Sequence, residues 1–264
     1  MSLLATIFAP NTPTLIGNLG IDHIETVKSL KSIGKNLPEK PEFIVIASPH
    51  FQTKGGFGVV TSEKIRQIYD FYGFPEELYS VKYEPKGSPE NAKELLELLR
   101  EEGIPAGEAN EWGLDHGAWS PLLRIFPDYD IPVIPVSISR DLDAENHEKL
   151  GKSIRKLSET KDLVLITTGS IIHRLDLWQN GGNLPEEALE YLDICLSAFK
   201  SGSFESIWNA PLDLYRAAQP EGGEAPLRIL SGSIGREFNS HILANEIEFN
   251  AASLTTVTFQ SLKQ

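Results

Sequence analysis

The chain has 264 residues but only one cysteine and one methionine. A single cysteine, Cys195, excludes an internal disulfide framework and any zinc site built from cysteines. It falls in the helical pattern Leu189, Leu192, Cys195, Leu196, Phe199, so it reads as a packed core thiol rather than a nucleophile. Basic residues are scarce: 24 Lys and Arg against 37 Asp and Glu leave a formal net charge of −13. Phosphate-backbone binding needs clustered cations that release counterions, so no nucleic-acid partner is expected. No apolar run approaches the roughly 18 residues that span a bilayer. The first ten residues carry no basic n-region, so no membrane association is expected and a cytoplasmic location is. Neither Gly-x-Ser-x-Gly nor Gly-x-Gly-x-x-Gly occurs, which argues against a serine hydrolase or a nucleotide-binding protein.

Hydrophobic residues make up 41% of the chain, enough for a substantial core. Short apolar strands alternate with longer amphipathic helices, the signature of a layered α/β sheet. Strands are expected at Leu3 to Ala9, Phe43 to Ser48, Val133 to Ser139 and Leu163 to Thr168. Their continuous apolar character is what a sheet covered on both faces requires. Helices are expected from Ser88-Pro89 to Arg100, from Asp143 to Leu157, from Pro185 to Phe199 and from about Pro226 to Phe238. The tail alternates through Glu246-Ile-Glu-Phe and Leu254 to Gln260 like an antiparallel pair that extends one sheet edge. No linker or repeat divides the chain, so residues 1–264 are expected to form a single domain with helices on both faces of the sheet.

Two of the six histidines stand at the ends of apolar strands: His50 in Phe43-Ile-Val-Ile-Ala-Ser-Pro-His50, and His173 after Leu163-Val-Leu-Ile-Thr-Thr-Gly-Ser. Ligands of open α/β sheets collect at the carboxyl ends of strands, so these imidazoles mark a candidate site. His116 lies in Trp112-Gly-Leu-Asp-His-Gly-Ala-Trp119, where Asp115 either orients the imidazole or caps a helix. His147 reads as part of a charged helical surface, His23 as structural near a helix start, and His241 as structural after a polar turn. The segment Tyr69-Asp-Phe-Tyr-Gly-Phe-Pro-Glu-Glu-Leu-Tyr79 is too aromatic and irregular for a regular element. It reads equally as one wall of an aromatic pocket or as a loop packed on itself. Glu224, after the Gly222-Gly223 pair and at a helix mouth, is the candidate carboxylate ligand, although the helix dipole alone also explains an acid there.

Taken in order, Ala-Ser-Pro-His50, Asp-Phe-Tyr-Gly-Phe-Pro75, Gly-Leu-Asp-His-Gly-Ala-Trp119, Phe-Pro-Asp-Tyr-Asp-Ile-Pro132, Thr-Thr-Gly-Ser-Ile-Ile-His173 and Gly-Gly-Glu-Ala-Pro-Leu-Arg228 resemble the class III extradiol ring-cleavage dioxygenases of the LigB type. The middle of the chain is most similar to their DOPA dioxygenase branch. The resemblance implies a LigB-like fold and a mononuclear Fe(II), with Zn as a substitute. His50 matches the second metal ligand and Glu224 the third. His173 matches the acid/base catalyst, sometimes a further metal contact, and His116 matches the histidine lining the oxygen and substrate side. A small catechol-type aromatic and O2 are the implied partners, with room left for a homo-oligomer. Tyr69, Phe71, Tyr72 and Phe74 are expected to shape the ring pocket.

The chain departs from the family pattern in Ala9-Pro-Asn-Thr-Pro-Thr14, where Asn11 stands in place of the first histidine ligand. An amide oxygen is a harder and weaker donor than imidazole. Three outcomes follow: iron held loosely by Asn11, His50 and Glu224; a set completed by His173; or a site without metal. The corresponding functional alternatives are a metal-poor binding protein and a zinc-dependent hydrolase on the same site.

Overall fold

The computed structural model describes residues 2–17, 23–235 and 238–261. In chain order the elements are β1 (Leu3–Ala9), α1 (Ile24–Asn36), β2 (Phe43–Thr53), β3 (Phe57–Val59), α2 (Pro89–Glu101), β4 (Ala106–Glu108), α3 (His116–Ile125), β5 (Val133–Ser139), α4 (Ala144–Leu157), β6 (Leu163–Thr168), α5 (Leu175–Asn180), α6 (Glu186–Ser201), α7 (Glu205–Trp208), α8 (Leu212–Ala218), α9 (Ala225–Ser233), β7 (Phe238–Glu248) and β8 (Ala252–Ser261).

The strands form one eight-stranded sheet in the order β4-β3-β5-β2-β6-β1-β8-β7. Its centre is parallel: β5 pairs with β2, β2 with β6, and β6 with β1. The β7–β8 hairpin adds an antiparallel edge by pairing β8 with β1. Alternate residues of each central strand enter opposite cores, because successive side chains of a strand point to opposite faces. Ile44, Ile46, Val164 and Ile166 join the layer that includes Leu30 of α1 and Trp119 of α3. Phe43, Val45, Leu163 and Leu165 join the layer of α2, α4 and α9. A third cluster packs α6 and α8 against Phe8, Val257 and Phe259. The expected α/β sheet with helices on both faces is therefore present. Among the described residues, no helix is long and apolar enough to cross a membrane.

Several expectations are corrected. The helix expected at Pro226 to Phe238 stops at Ser233, and residues 236–237 lie outside the described residues. Pro185 caps α6 rather than entering it. His147 is not on a solvated surface: it is 3% exposed, accepts from Ser139 N at 3.2 Å and bonds Asp143 O at 2.8 Å. Burial lowers its pKa, which favours the neutral ring that this accepting nitrogen requires. His241 lies within β7 rather than after a turn.

Helices α4 and α9 cross closely enough that small residues are required. A Cβ at Gly232 would come 2.0 Å from Glu148 O, and one at Gly151 would come 2.1 Å from Ile229 O. Backbone atoms cannot yield as a side-chain tip can. Gly232→Ala is expected to destabilise the fold by about 1–3 kcal/mol, the usual range for overpacking, as measured by denaturant unfolding. This contact matters for the site because α9 anchors the loop that precedes it.

Candidate active site

The site forms at the carboxyl ends of β1, β2 and β6, where open parallel sheets place ligands. Asn11 follows β1 and is 4% exposed. The β2 ladder with β5 runs regularly to Ser48 and then shifts register before Gln52. His50 therefore sits in an irregularity inside a longer strand, and bulges of this kind re-aim side chains. Beyond β6 the chain turns at Gly169 and reaches His173, which bridges to Ala252 of β8 and donates its backbone N–H to Ala218 O at 2.9 Å.

The carboxylate at this place is Glu221. Its backbone N–H donates to Ser170 O at 3.0 Å, which ties it to the turn after β6. The next two residues, Gly222 and Gly223, have φ of +70° and +65°, left-handed values that favour glycine. A Cβ on Gly222 would also lie 2.8 Å from Pro49 Cβ, so the loop packs directly on the segment bearing His50. Glu224, the expected carboxylate ligand, does not line the cavity formed here. It stands at the N-terminal cap of α9 with its carboxylate bonded to Arg228 at 2.8 and 3.0 Å, and Arg228 also binds Glu148 and covers the Trp208 ring. Only Gly222 and Gly223 separate the two acids, and these left-handed glycines send them in different directions.

His50 is held from both sides, with Nδ1 2.7 Å from Asp70 Oδ2 and Nε2 2.9 Å from Glu221 Oε1. His173 Nε2 lies 4.0 Å from the same Glu221 oxygen. Asp70 also receives the His116 backbone N–H and faces His116 Nδ1, both at 2.8 Å. One carboxylate thus orients two imidazoles, whose rings meet edge to face at 4.4 Å. Of the two readings of Asp115, the structure bears out the helix cap. Asp115 caps α3 by accepting from Ala118 N, and also accepts from Ser48 Oγ and Trp112 Nε1. Burial pushes its carboxyl pKa up.

These contacts dominate the electrostatics. Burial alone would lower the His50 pKa, but its hydrogen bonds to Asp70 and Glu221 raise it to about 11. Burial would raise that of Glu221, yet the His50 hydrogen bond and the His173 and His50 charges bring it to about 2. Burial likewise opposes ionisation of Asp70, but the hydrogen bonds from His116 and His50 hold it well below the usual carboxylate range.

The donors line a cavity of about 380 Å³ with Phe71, Tyr72 and Phe74 on its wall. The loop is thus a pocket wall as well as a packed segment: Phe71 contacts Phe74, Tyr79, Trp119 and His116. Tyr69 is not on the cavity wall. Its hydroxyl donates to Val81 O at 2.7 Å and its ring packs against Trp119. A larger depression of about 1050 Å³ between α1 and residues 123–131 contains no histidine.

Two donor groups could receive a metal ion. Atoms of His50, Asp70 and His116 lie within 4.8 Å of one another. Their nitrogens and oxygens are, however, already joined in mutual hydrogen bonds. On the other side of His50 the Asn11 side chain lies against Glu221 and helps to lower its pKa, although the buried Asn11 Nδ2 and Glu221 Oε2 make no hydrogen bond of good geometry. Buried polar atoms without partners are costly, and a cation beside them would satisfy the carboxylate. Asn11, His50 and Glu221 make up this second group, with Asp70 behind His50 as the carboxylate that orients its imidazole.

Residues 10–256 match the model of the catalytic LigB subunit of aromatic ring-opening dioxygenase. The chain belongs to the LigB family. Its relatives include the 4,5-DOPA dioxygenase extradiol of Beta vulgaris, 30% identical over 86% of each chain. The protein of that name in Escherichia coli (strain K12) is 38% identical over 56% of this chain, a match spanning 53%, about half, of the relative's length. The fold matches the crystal structure of an uncharacterized protein from Escherichia coli K12, with TM-score 0.70, 26% identity and coverage of 97% and 99%. The family, described by its aromatic ring-opening dioxygenase subunit, implies a metal cofactor and an aromatic substrate with O2.

Of the residues expected from sequence, Asn11, His50, His116 and His173 meet in one cavity and Glu224 does not. Asp70 and Glu221 were missed. Asp70 lay inside the quoted aromatic motif as its only acid before the turn, and Glu221 stood on the other side of the paired glycines.

Proposed function

We propose that this LigB chain is an Fe(II)-dependent extradiol dioxygenase that opens the ring of a catechol-type substrate. The supporting observation is the buried Glu221 oxygen without a hydrogen bond of good geometry, beside His50, Asn11 and His173 at the base of an aromatic-walled cavity. Asn11, His50 and Glu221 would hold the metal, with His173 at its edge. When bound, Fe(II) supplies the centre that increases catechol acidity and brings the two reactants together. Asp70 fixes the His50 and His116 rings through Nδ1, leaving each Nε2 for the cavity side. His173 Nε2 accepts a substrate hydroxyl proton and returns it to the product, a role suited to an imidazole at neutral pH. His116 donates toward the negative charge that develops on oxygen. Phe71, Tyr72 and Phe74 exclude water from the ring.

The decisive experiment loads the purified protein with Fe(II) and follows O2 uptake and ring-opened product on a catechol panel. Absence of product across the panel, with iron bound, would sink the reading.

Two further results are expected. In the metal-free protein His50 keeps its proton up to about pH 11, because its raised pKa favours the charged form below that value. Metal binding to Nε2 must expel that proton, so affinity should rise about tenfold per pH unit through the neutral range. Calorimetry in buffers of different ionisation enthalpy measures the proton released. Asn11→His should strengthen Fe(II) binding on the order of tenfold or more, since imidazole is the better donor for this metal. Metal titration of both proteins provides the comparison.

A further inference from the structure

The chain carries a net charge of −13, yet one depression on its surface gathers basic side chains. It is the groove of about 1050 Å³ between α1 and the end of α3, and it shares no lining residue with the histidine cavity. The cations Lys31, Lys35, Lys40 and Arg124 line it, against the acids Glu39, Asp128 and Asp130. Lys40 pairs with Asp130, which leaves three cations facing two acids. The walls are fixed in place. A Cβ at Gly34 of α1 would come 2.2 Å from Ile125 O of α3, so the two helices meet backbone to backbone.

Arg124 is the group in this groove that lacks a counterpart. Its guanidinium is half-buried, and its Nε donates to Leu15 O at 2.5 Å, which fixes the plane of the group. The remaining guanidinium N–H groups have no acceptor among the described residues. Burial lowers the Arg124 pKa with no acid set against it, although an arginine keeps its proton regardless. A cation drawn out of water without a counter-charge is costly, and an anion on the free edge of the guanidinium offsets that cost. Lys31 and Lys35 lie about one turn apart on α1, where like charges repel, and neither has an ion pair among the described residues. The surrounding wall is apolar, with Leu37, Val81, Phe126 and Ile131. An excess of one positive charge suits a monoanion, and apolar walls suit one with a hydrocarbon body rather than a strongly hydrated phosphate.

We propose that the groove between α1 and the end of α3 is a second binding site, for a monocarboxylate with an apolar body. The carboxylate sits on Arg124 between Lys31 and Lys35, and the hydrocarbon lies along Leu37, Val81 and Ile131. The site stands independently of the ring-cleavage reading above.

The test is calorimetric titration of the protein as purified with octanoate, octanamide and inorganic phosphate. Octanoate and octanamide share an apolar body and differ in charge. Octanoate should therefore bind about tenfold more tightly or better, the effect of a hydrogen-bonded charge contact. Phosphate should bind more weakly than octanoate. Arg124→Met removes the charge while keeping an apolar stem, and should bring the octanoate to octanamide ratio toward one. Lys31→Gln combined with Lys35→Gln, at two exposed positions of α1 where folding is not at stake, should lower octanoate affinity and flatten its salt dependence. Absent octanoate binding, or equal binding of octanoate and octanamide, overturns the proposal. Phosphate binding as tight as that of octanoate does so too, because the apolar walls would then contribute nothing. An octanoate preference that persists unchanged in both variants also overturns it, since the carboxylate would then sit elsewhere, as on the His50 cation. If Arg124→Met does not fold, the paired lysine variant decides alone.

Discussion

Replacing Glu221 by alanine is expected to abolish stoichiometric metal binding, while replacing Glu224 leaves it intact. Glu221 is the buried acid against His50, and one of its oxygens makes no hydrogen bond of good geometry. Loss of a residue that only orients a ligand typically costs roughly 10–100-fold in metal affinity, so loss of a ligating carboxylate should exceed that. It also removes one of the carboxylates that hold the His50 cation, which lowers the His50 pKa from its present value of about 11. Glu224→Ala instead breaks a partly exposed pair with Arg228, a contact of modest worth to stability. Metal analysis of the two variants after identical loading measures the contrast. Metal retained by Glu221→Ala, or lost from Glu224→Ala, would return the ligand assignment to the helix cap.

His173→Gln should reduce kcat by about 10²–10⁴-fold while leaving metal content unchanged, the effect of removing a positioned acid/base group. Its Nε2 is 4.0 Å from Glu221, beyond a direct hydrogen bond. The backbone bond to Ala218 and the bridge to Ala252 hold residue 173 in place independently of the side chain, so the substitution should leave the local fold intact. A merely structural role would change unfolding without a selective fall in kcat. A fall in metal content together with kcat would make His173 a ligand. Single-turnover kinetics with metal quantification separate these cases.

Legibility of this chain depended on how local the governing physics was. Strands β1, β5 and β6 could be read to the residue because burial on both faces demands an uninterrupted apolar run. The three-residue strands β3 and β4 were not legible: they are too short for a period, and pairing with β5 and with each other makes them strands. His147 was misread because its immediate neighbours are charged. Its helical spacing to Leu150 and Ile154, which are buried with it, was the signal for an inward face. The Glu221 and Glu224 exchange has a different origin. Both acids flank the same glycine pair, and only the left-handed turn at Gly222 and Gly223, packed on Pro49, decides which one enters the site.

By itself the sequence determined the layered α/β class, the apolar central strands and the presence of imidazoles toward the carboxyl ends of two of them. These follow from composition and period, which act over a few residues. Tertiary structure alone decided that Asp70 bridges His50 and His116, that Glu221 rather than Glu224 faces His50, and that Glu248 joins the same cavity from the far end of the chain. Each of these is a meeting of side chains distant in sequence, set by strand order, a β2 irregularity and two left-handed glycines, and no local pattern encodes the distance between them.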